Sequence, residues 1–258
     1  MASFMTFQGG APRVTVKDRL AVAVKRLMDV RVDGESARLT VPAIYPSGAS
    51  ASVEITINGD KCFVSDIGLG HMEAEFQGAE DFYAASARNA AQRFGVGFDG
   101  FSVFASWASM DRIESAISLV ANASTQAAAS ALFSAEREKD RRVQEQIYDK
   151  ISGIFGPNLV NKTMDISGRD ATWTAHNVVA FPNRSLVVFE FVRESQNSVA
   201  NKFMMFSDLA KIDNGPTLNS VVKSLDRIGK KGSMLADVSN VIELTANDEA
   251  FRRLARVA

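Results

Sequence analysis

Residues 160–192, VNKTMDISGRDATWTAHNVVAFPNRSLVVFEFV, contain three extended runs: Val160 to Ile166, Thr172 to Phe181 and Leu186 to Val192. The last two are joined by Pro182-Asn183-Arg184-Ser185, residues that favour turns, so they are expected to pair as a hairpin. Before them, Glu136 to Phe155 has an amphipathic helical rhythm with Val143, Ile147, Ile151 and Ile154 on one face, and Gly156-Pro157 stops it. After them come an apolar helix from Val199 to Leu209, a second from Leu218 to Ile228, a β-rich run from Val238 to Leu244 and a terminal helix from Asp248 to Arg256. The order α, β, β, β, α, α, β, α predicts a mixed sheet with helices packed on it, which is the simplest way to hide these apolar faces.

Upstream, Val16 to Val30 carries Leu20, Val22, Val24, Leu27 and Met28 as a helix-like stripe with lysines and arginines between. Two strands follow, Ala37 to Ala43 and Ala51 to Ile57. The second alternates Val53, Ile55 and Ile57 with Glu54 and Thr56, and Asn58-Gly59-Asp60 turns it into a third run at Cys62 to Val64. Glu80 to Phe94 is helical, Asp99-Gly100 is a second hairpin corner, and from Ser109, a cap, the chain is helical again. The densely charged segment Glu136 to Arg142 reads as a solvated helix surface or a hinge between modules. These elements predict an α+β protein with an N-terminal module at 1–135 and a C-terminal module at 136–258.

The chain has 258 residues, 46% of them apolar and 23% charged, as a globular protein does. Its 29 basic and 30 acidic residues nearly cancel, so net charge gives no indication of nucleic-acid binding and any charged partner must meet a local patch. One cysteine, Cys62, excludes an intramolecular disulfide and multi-cysteine zinc sites, and a reducing, cytoplasmic setting is expected. The start, MASFMTFQGGAPRV, is not signal-like, no run approaches the roughly 20 apolar residues of a membrane span, and no membrane partner is expected. The alanine-rich stretch from Ala121 to Ala135 has side chains small enough for close helix approach, which allows a homodimer or simple internal packing.

The residues that carry chemistry are few. In the first module Asp66, Gly68, Gly70 and His71 follow a hairpin; Asp and Gly build turns, the alternative being a binding site that uses Asp66 and His71, and the spacing lacks the lysine of a phosphate loop. Cys62 reads as a small buried thiol and His176 as a sheet residue able to face the same surface as Glu190. Lys223, Arg227 and Lys230 fall on one face if 218–228 is helical and continues, with Lys231 beside them, and Arg252, Arg253 and Arg256 form a second stripe. Both stripes suit phosphates or an acidic protein surface, although Asp226, Asp248 and Glu249 dilute the field.

The element order of the second module resembles the core of the restriction-endonuclease-like superfamily. That resemblance implies an acid near the second strand and, on the third, a carboxylate and a lysine two residues apart that hold magnesium. Glu190 falls where the carboxylate belongs, but Val192 stands in the lysine position. A magnesium-dependent nuclease would therefore need Lys202 from the following helix, Asp165 or Asp170 as second acid, and Glu138 or Glu145 from the first helix. The alternative reading leaves Glu190 paired with a nearby cation on an inactive scaffold without a cofactor. A buried, unpaired carboxylate would be too costly in either case.

Taken whole, the chain is similar to two uncharacterised bacterial and phage domains that occur in tandem. The similarity rests on Val41-Pro42-Ala43-Ile44-Tyr45-Pro46-Ser47-Gly48 and the strand after it, on Val64-Ser65-Asp66-Ile67-Gly68, on Gly168, on Trp173 to Phe181, and on Phe206-Ser207-Asp208-Leu209. That pattern has a second acid where Ile67 stands here. The similarity implies a phage or mobile-element setting and an interaction with a host or defence protein.

Overall fold

The computed structural model describes residues 15–182 and 185–255. The protein is α+β, and its chain divides into two compact units, 1–136 and 137–258.

The first unit is built on six antiparallel strands, β1 (Val30–Asp33), β2 (Ser36–Ile44), β3 (Ser50–Asn58), β4 (Lys61–Ser65), β5 (Gly97–Phe98) and β6 (Phe104–Ser109), in the order β1-β2-β3-β4-β6-β5. The alternation visible in β3 sends Ala51, Val53 and Ile55 inward, each large side chain contributing roughly 1.5–3 kcal/mol of apolar burial. The register of β2 on β3 shifts between Thr40 and Ile44, around Pro42, which has no N–H for a regular ladder. Its described residues also form α1 (Val16–Leu27), α2 (Leu69–Phe76) and α3 (Glu80–Phe94). The first is shorter than the stripe predicts, because Val30 already belongs to β1. Thr15 and Asp18 cap it reciprocally.

A single helix, α4 (Ile113–Phe155), contributes its first part to this unit and its last part to the second. Of the two readings of the charged segment, a solvated helix surface or a hinge between modules, the structure has the helix, and the division between units falls within it. Arg141 bonds Glu138 and Glu145, and Arg142 bonds Glu138, so the charges are satisfied at i,i+3 and i,i+4 spacing along one continuous helix. The alanine-rich part is buried in its own unit, with Ala116, Ala123, Ala127, Ala128 and Ala131 in the core. Contrary to expectation, α4 with the turn before it (110–155) is long and apolar enough by length and composition to cross a membrane. Alanine raises its hydropathy while serving close packing on the sheet.

The second unit has a five-stranded mixed sheet: β7 (Val160–Ser167), β8 (Thr172–Ala180), β9 (Leu186–Phe191), β10 (Thr217–Val222) and β11 (Asn240–Glu243), in the order β11-β10-β9-β8-β7. The first three form an antiparallel meander, and β10 and β11 continue parallel to β9. The predicted helix over Leu218 to Ile228 is mostly β10. This strand is buried on both faces between parallel neighbours and so presents a continuous apolar run, which spacing does not separate from a buried helix. Three further helices follow α5 (Gln196–Leu209): α6 (Leu225–Ile228), α7 (Lys230–Ala236) and α8 (Asp248–Ala255). Val187, Phe189 and Phe191 pack with Ile147, Ile151 and Phe251 on one face of the sheet, and Val188 and Ala175 with Phe206 and Leu209 on the other.

Candidate functional site

The period-two alternation of β9 places Glu190 on the same face as Val188, under α5, and its side chain has no solvent exposure. Three groups answer its charge. Oε1 accepts the His176 backbone N–H at 2.6 Å and lies 3.1 Å from His176 Nδ1, and Lys202 Nζ stands 2.7 Å from Oε2. The Lys202 contact is a charge pair lying off the ideal hydrogen-bond direction. Burial alone would raise the Glu190 pKa, but the His176 hydrogen bond and the charges of Lys202 and His176 more than offset it, and the carboxyl titrates below the usual glutamate value.

The local backbone builds this arrangement. β8 pairs with β9 only from Val178 to Ala180, and at Asn177 the chain takes φ 52°, a left-handed conformation that asparagine tolerates better than most side chains. The regular ladder ends there, and the N–H of His176 turns to the Glu190 carboxylate instead of a strand carbonyl. Asn177 Nδ2 donates to Gln144 on α4 at 2.5 Å, fixing the strained residue to the helix. Beside these groups lies a cavity of about 510 Å³, walled by Arg141 and Gln144 of α4, His176, Arg193, and Asn201 and Lys202 of α5. Arg193 pairs with Asp140 at 3.2 Å.

Of the residues expected to join a magnesium site, Glu190 and Lys202 meet, and His176 joins them as the sequence allows. The two aspartates lie elsewhere. Asp165 on β7 accepts a hydrogen bond from Thr174 Oγ1 at 2.7 Å, and Asp170, in the β7–β8 turn, faces Lys211 at 3.7 Å. Glu138 and Glu145 are engaged by Arg141. Among the described residues, no group of three or more His, Cys, Asp or Glu side chains is placed to hold a metal ion.

The basic stripe does not form on one helix. Lys223 follows β10 with its ammonium over Phe191, Arg227 sits in α6, and Gly229, at φ 52°, breaks the chain before Lys230 and Lys231 open α7. Lys231 Nζ donates to the Glu194 carbonyl at 2.6 Å. Arg252 lies 4.0 Å from Glu249 on α8, Arg253 is exposed on the same helix, and Arg256 lies outside the described residues.

In the first unit Asp66 is a buried hub. Its carboxylate accepts from Ser124 Oγ at 2.6 Å, Phe104 N–H at 2.8 Å, Gly68 N–H at 3.1 Å and Gly70 N–H at 3.3 Å, while Tyr45 Oη lies 2.8 Å from Ser124 Oγ. Burial raises its pKa and these hydrogen bonds only partly restore it. A Cβ on Gly70 would sit 2.5 Å from Ser124 Oγ, so glycine is required where α2 meets α4. His71 packs edge-on to Tyr83, centroids 5.2 Å apart, and against Phe101.

Sequence reasoning missed the equivalent hub of the second unit. Asp208 on α5 accepts from Trp173 Nε1 at 2.7 Å and from the N–H groups of Asp170 and Ala171 at 2.9 and 3.2 Å, pinning the β7–β8 turn. The Trp173 hydrogen bond holds its carboxyl below the usual aspartate value. A side chain at Gly168 would collide with that carboxylate. The signal was present in the tandem-domain resemblance, whose Gly168, Trp173 and Asp208 all fall in this cluster. Comparison of the chain with protein-family models, with curated proteins and with solved structures returns no match.

Proposed function

We propose that this is a non-catalytic interaction protein of a phage or other mobile element, acting in the cytoplasm by binding a host or defence protein, alone or in complex with nucleic acid. One observation carries the reading: Glu190, the one acid at the expected catalytic position, is closed off from solvent by His176 and Lys202. A carboxylate already neutralised by an ammonium and a backbone donor is a poor magnesium ligand, because the metal must displace those partners. The order helix, antiparallel three-strand meander, helix, parallel fourth strand supports the nuclease-like scaffold that the resemblance implies.

A second reading, a magnesium-dependent nuclease, is favoured by one specific feature: a lysine from α5 does reach Glu190 beside an open cavity. The two separate in one experiment. Purified protein is incubated with single- and double-stranded nucleic acid and magnesium, and in parallel used to capture partners from host lysate with and without nuclease treatment, the captured protein then being purified and the complex rebuilt. The expected result is intact nucleic acid and a stoichiometric protein complex that survives nuclease treatment. Magnesium-dependent shortening abolished by Glu190→Ala would overturn the proposal in favour of the enzyme.

A further inference from the structure

The apolar surface of the first unit does not stop where its core stops. Val30 and Val32 on β1 stand on the same face as the buried Leu39, yet are 57% and 73% exposed. On α1, Val16 and Leu20 lie one turn apart and are both exposed. β1 is an edge strand, and among the described residues its outer side pairs with nothing. An unpaired strand edge is a template for pairing with another chain, and here it carries exposed apolar side chains on one face.

We propose that this edge pairs with the same edge of a second copy of the chain, making an antiparallel two-fold dimer through β1. The hydrogen-bonding phase is set by the hairpin. The Asp29 carbonyl accepts from the Thr40 N–H at 2.8 Å, so residue 29 points its backbone groups at β2. Alternation then turns those of Met28, Val30 and Val32 to the open side. Met28 is itself extended, at φ −123° and ψ 110°, and carries the edge one residue beyond β1.

Charge selects the second copy as the occupant and fixes its register. A two-fold axis at Arg31 sets arginine against arginine, which is repulsive. An axis at Val30 sets Val30 against Val30, Met28 against Val32, and Arg31 of each copy against Asp29 of the other, in the closely spaced positions where side chains meet. Within one chain Arg31 already bonds Asp29 at 3.0 Å on a fully solvated surface, so the exchange to the other copy sacrifices little. The segment Met28-Asp29-Val30-Arg31-Val32 is complementary to its own reverse, as a two-fold interface requires. The alanine-rich part of α4 takes no part, since it is buried in its own unit.

The test is the mass of the full chain by light scattering and sedimentation across the micromolar range. A dimer is expected. Arg31→Glu should weaken it by about tenfold or more, because both cross-strand ion pairs become like-charge pairs. The double swap Asp29→Lys with Arg31→Glu should restore it, which a merely misfolded variant would not do. Val30→Pro removes an N–H that faces only outward and should give a monomer with unchanged circular dichroism. A monomeric wild type, or a dimer indifferent to both Val30→Pro and Arg31→Glu, would overturn the proposal. So would a monomer that sediments with anionic vesicles, which would make α1 a membrane-surface helix, or dimerisation only after removal of residues 1–14, which would make that segment the occupant of the edge.

Discussion

Among the described residues two carboxylates are wholly removed from water, and the two units hold them by opposite means. Asp66 is held by a hydroxyl and three backbone N–H groups with no cation among them, and its pKa rises. Glu190 is held by an ammonium, an imidazole and one N–H, and its pKa falls. Dipoles alone repay part of the cost of burying a charge; a countercharge repays more, at the expense of burying a second ion. The first device serves a tight turn and helix start. The second leaves a charged constellation beside a cavity, which is why the candidate site lies in the second unit.

The sharpest break of this comparison is Lys202→Met. It leaves the buried Glu190 carboxylate with only the His176 backbone N–H and imidazole as partners, and removing one member of a buried pair costs about 3 kcal/mol or more. The loss should appear in urea unfolding at neutral pH, and Lys202→Met combined with Glu190→Gln should recover most of it. If the single variant is as stable as the wild type, the ion pair does not hold the site.

Acid titration sharpens the contrast through its sign. Between its ordinary value of 3.8 and its raised folded pKa, Asp66 binds more proton in the folded than in the unfolded chain, so its contribution to stability declines as pH rises through that window. Glu190 does the reverse: its contribution is fully present above the ordinary value of 4.5 and is lost as pH falls toward its lowered folded pKa. Asp66→Asn should therefore flatten a downward slope of stability with pH, and Glu190→Gln an upward one. At neutral pH Asp66→Asn should still cost roughly 1–3 kcal/mol, because the amide turns an N–H toward that of Gly70. Equal pH slopes in the two variants would end the distinction.

How much of this was legible follows from what alternation and spacing encode. β3 and α3 stand close to where their patterns put them, since a half-buried strand alternates and a half-buried helix repeats at three to four residues. β10 has no exposed face to alternate with, so its Leu218, Val221 and Val222 read equally as helix. At 136 the sequence left two readings open, a solvated helix surface or a hinge between modules: the units divide at 136/137, and the Glu138, Arg141 and Glu145 spacing is the feature that marks an unbroken salt-bridged helix there. That a buried Glu190 needs a cation was readable from the apolar run around it; that His176 would supply its backbone N–H was not. The N–H is freed by a single left-handed residue, Asn177, which carries no wider pattern.

Asn177 is also where the comparison reaches its smallest measurable effect. Each hub has a left-handed residue that carries a side chain, Ile67 at φ 46° beside Asp66 and Asn177 at φ 52° near Glu190, but only the asparagine has a polar side chain to be tied down, here to Gln144. Asn177→Ala keeps the strain and loses the hydrogen bond, and should destabilise by about 2 kcal/mol. Asn177→Gly loses the same bond but relieves the backbone, so the two effects offset and the change should stay within about 1 kcal/mol. The difference between the two variants isolates backbone strain from the Gln144 bond. If glycine is as damaging as alanine, the bond to Gln144 and not the left-handed backbone is what keeps His176 turned to Glu190, and the site is then supported from α4 and not from the course of β8.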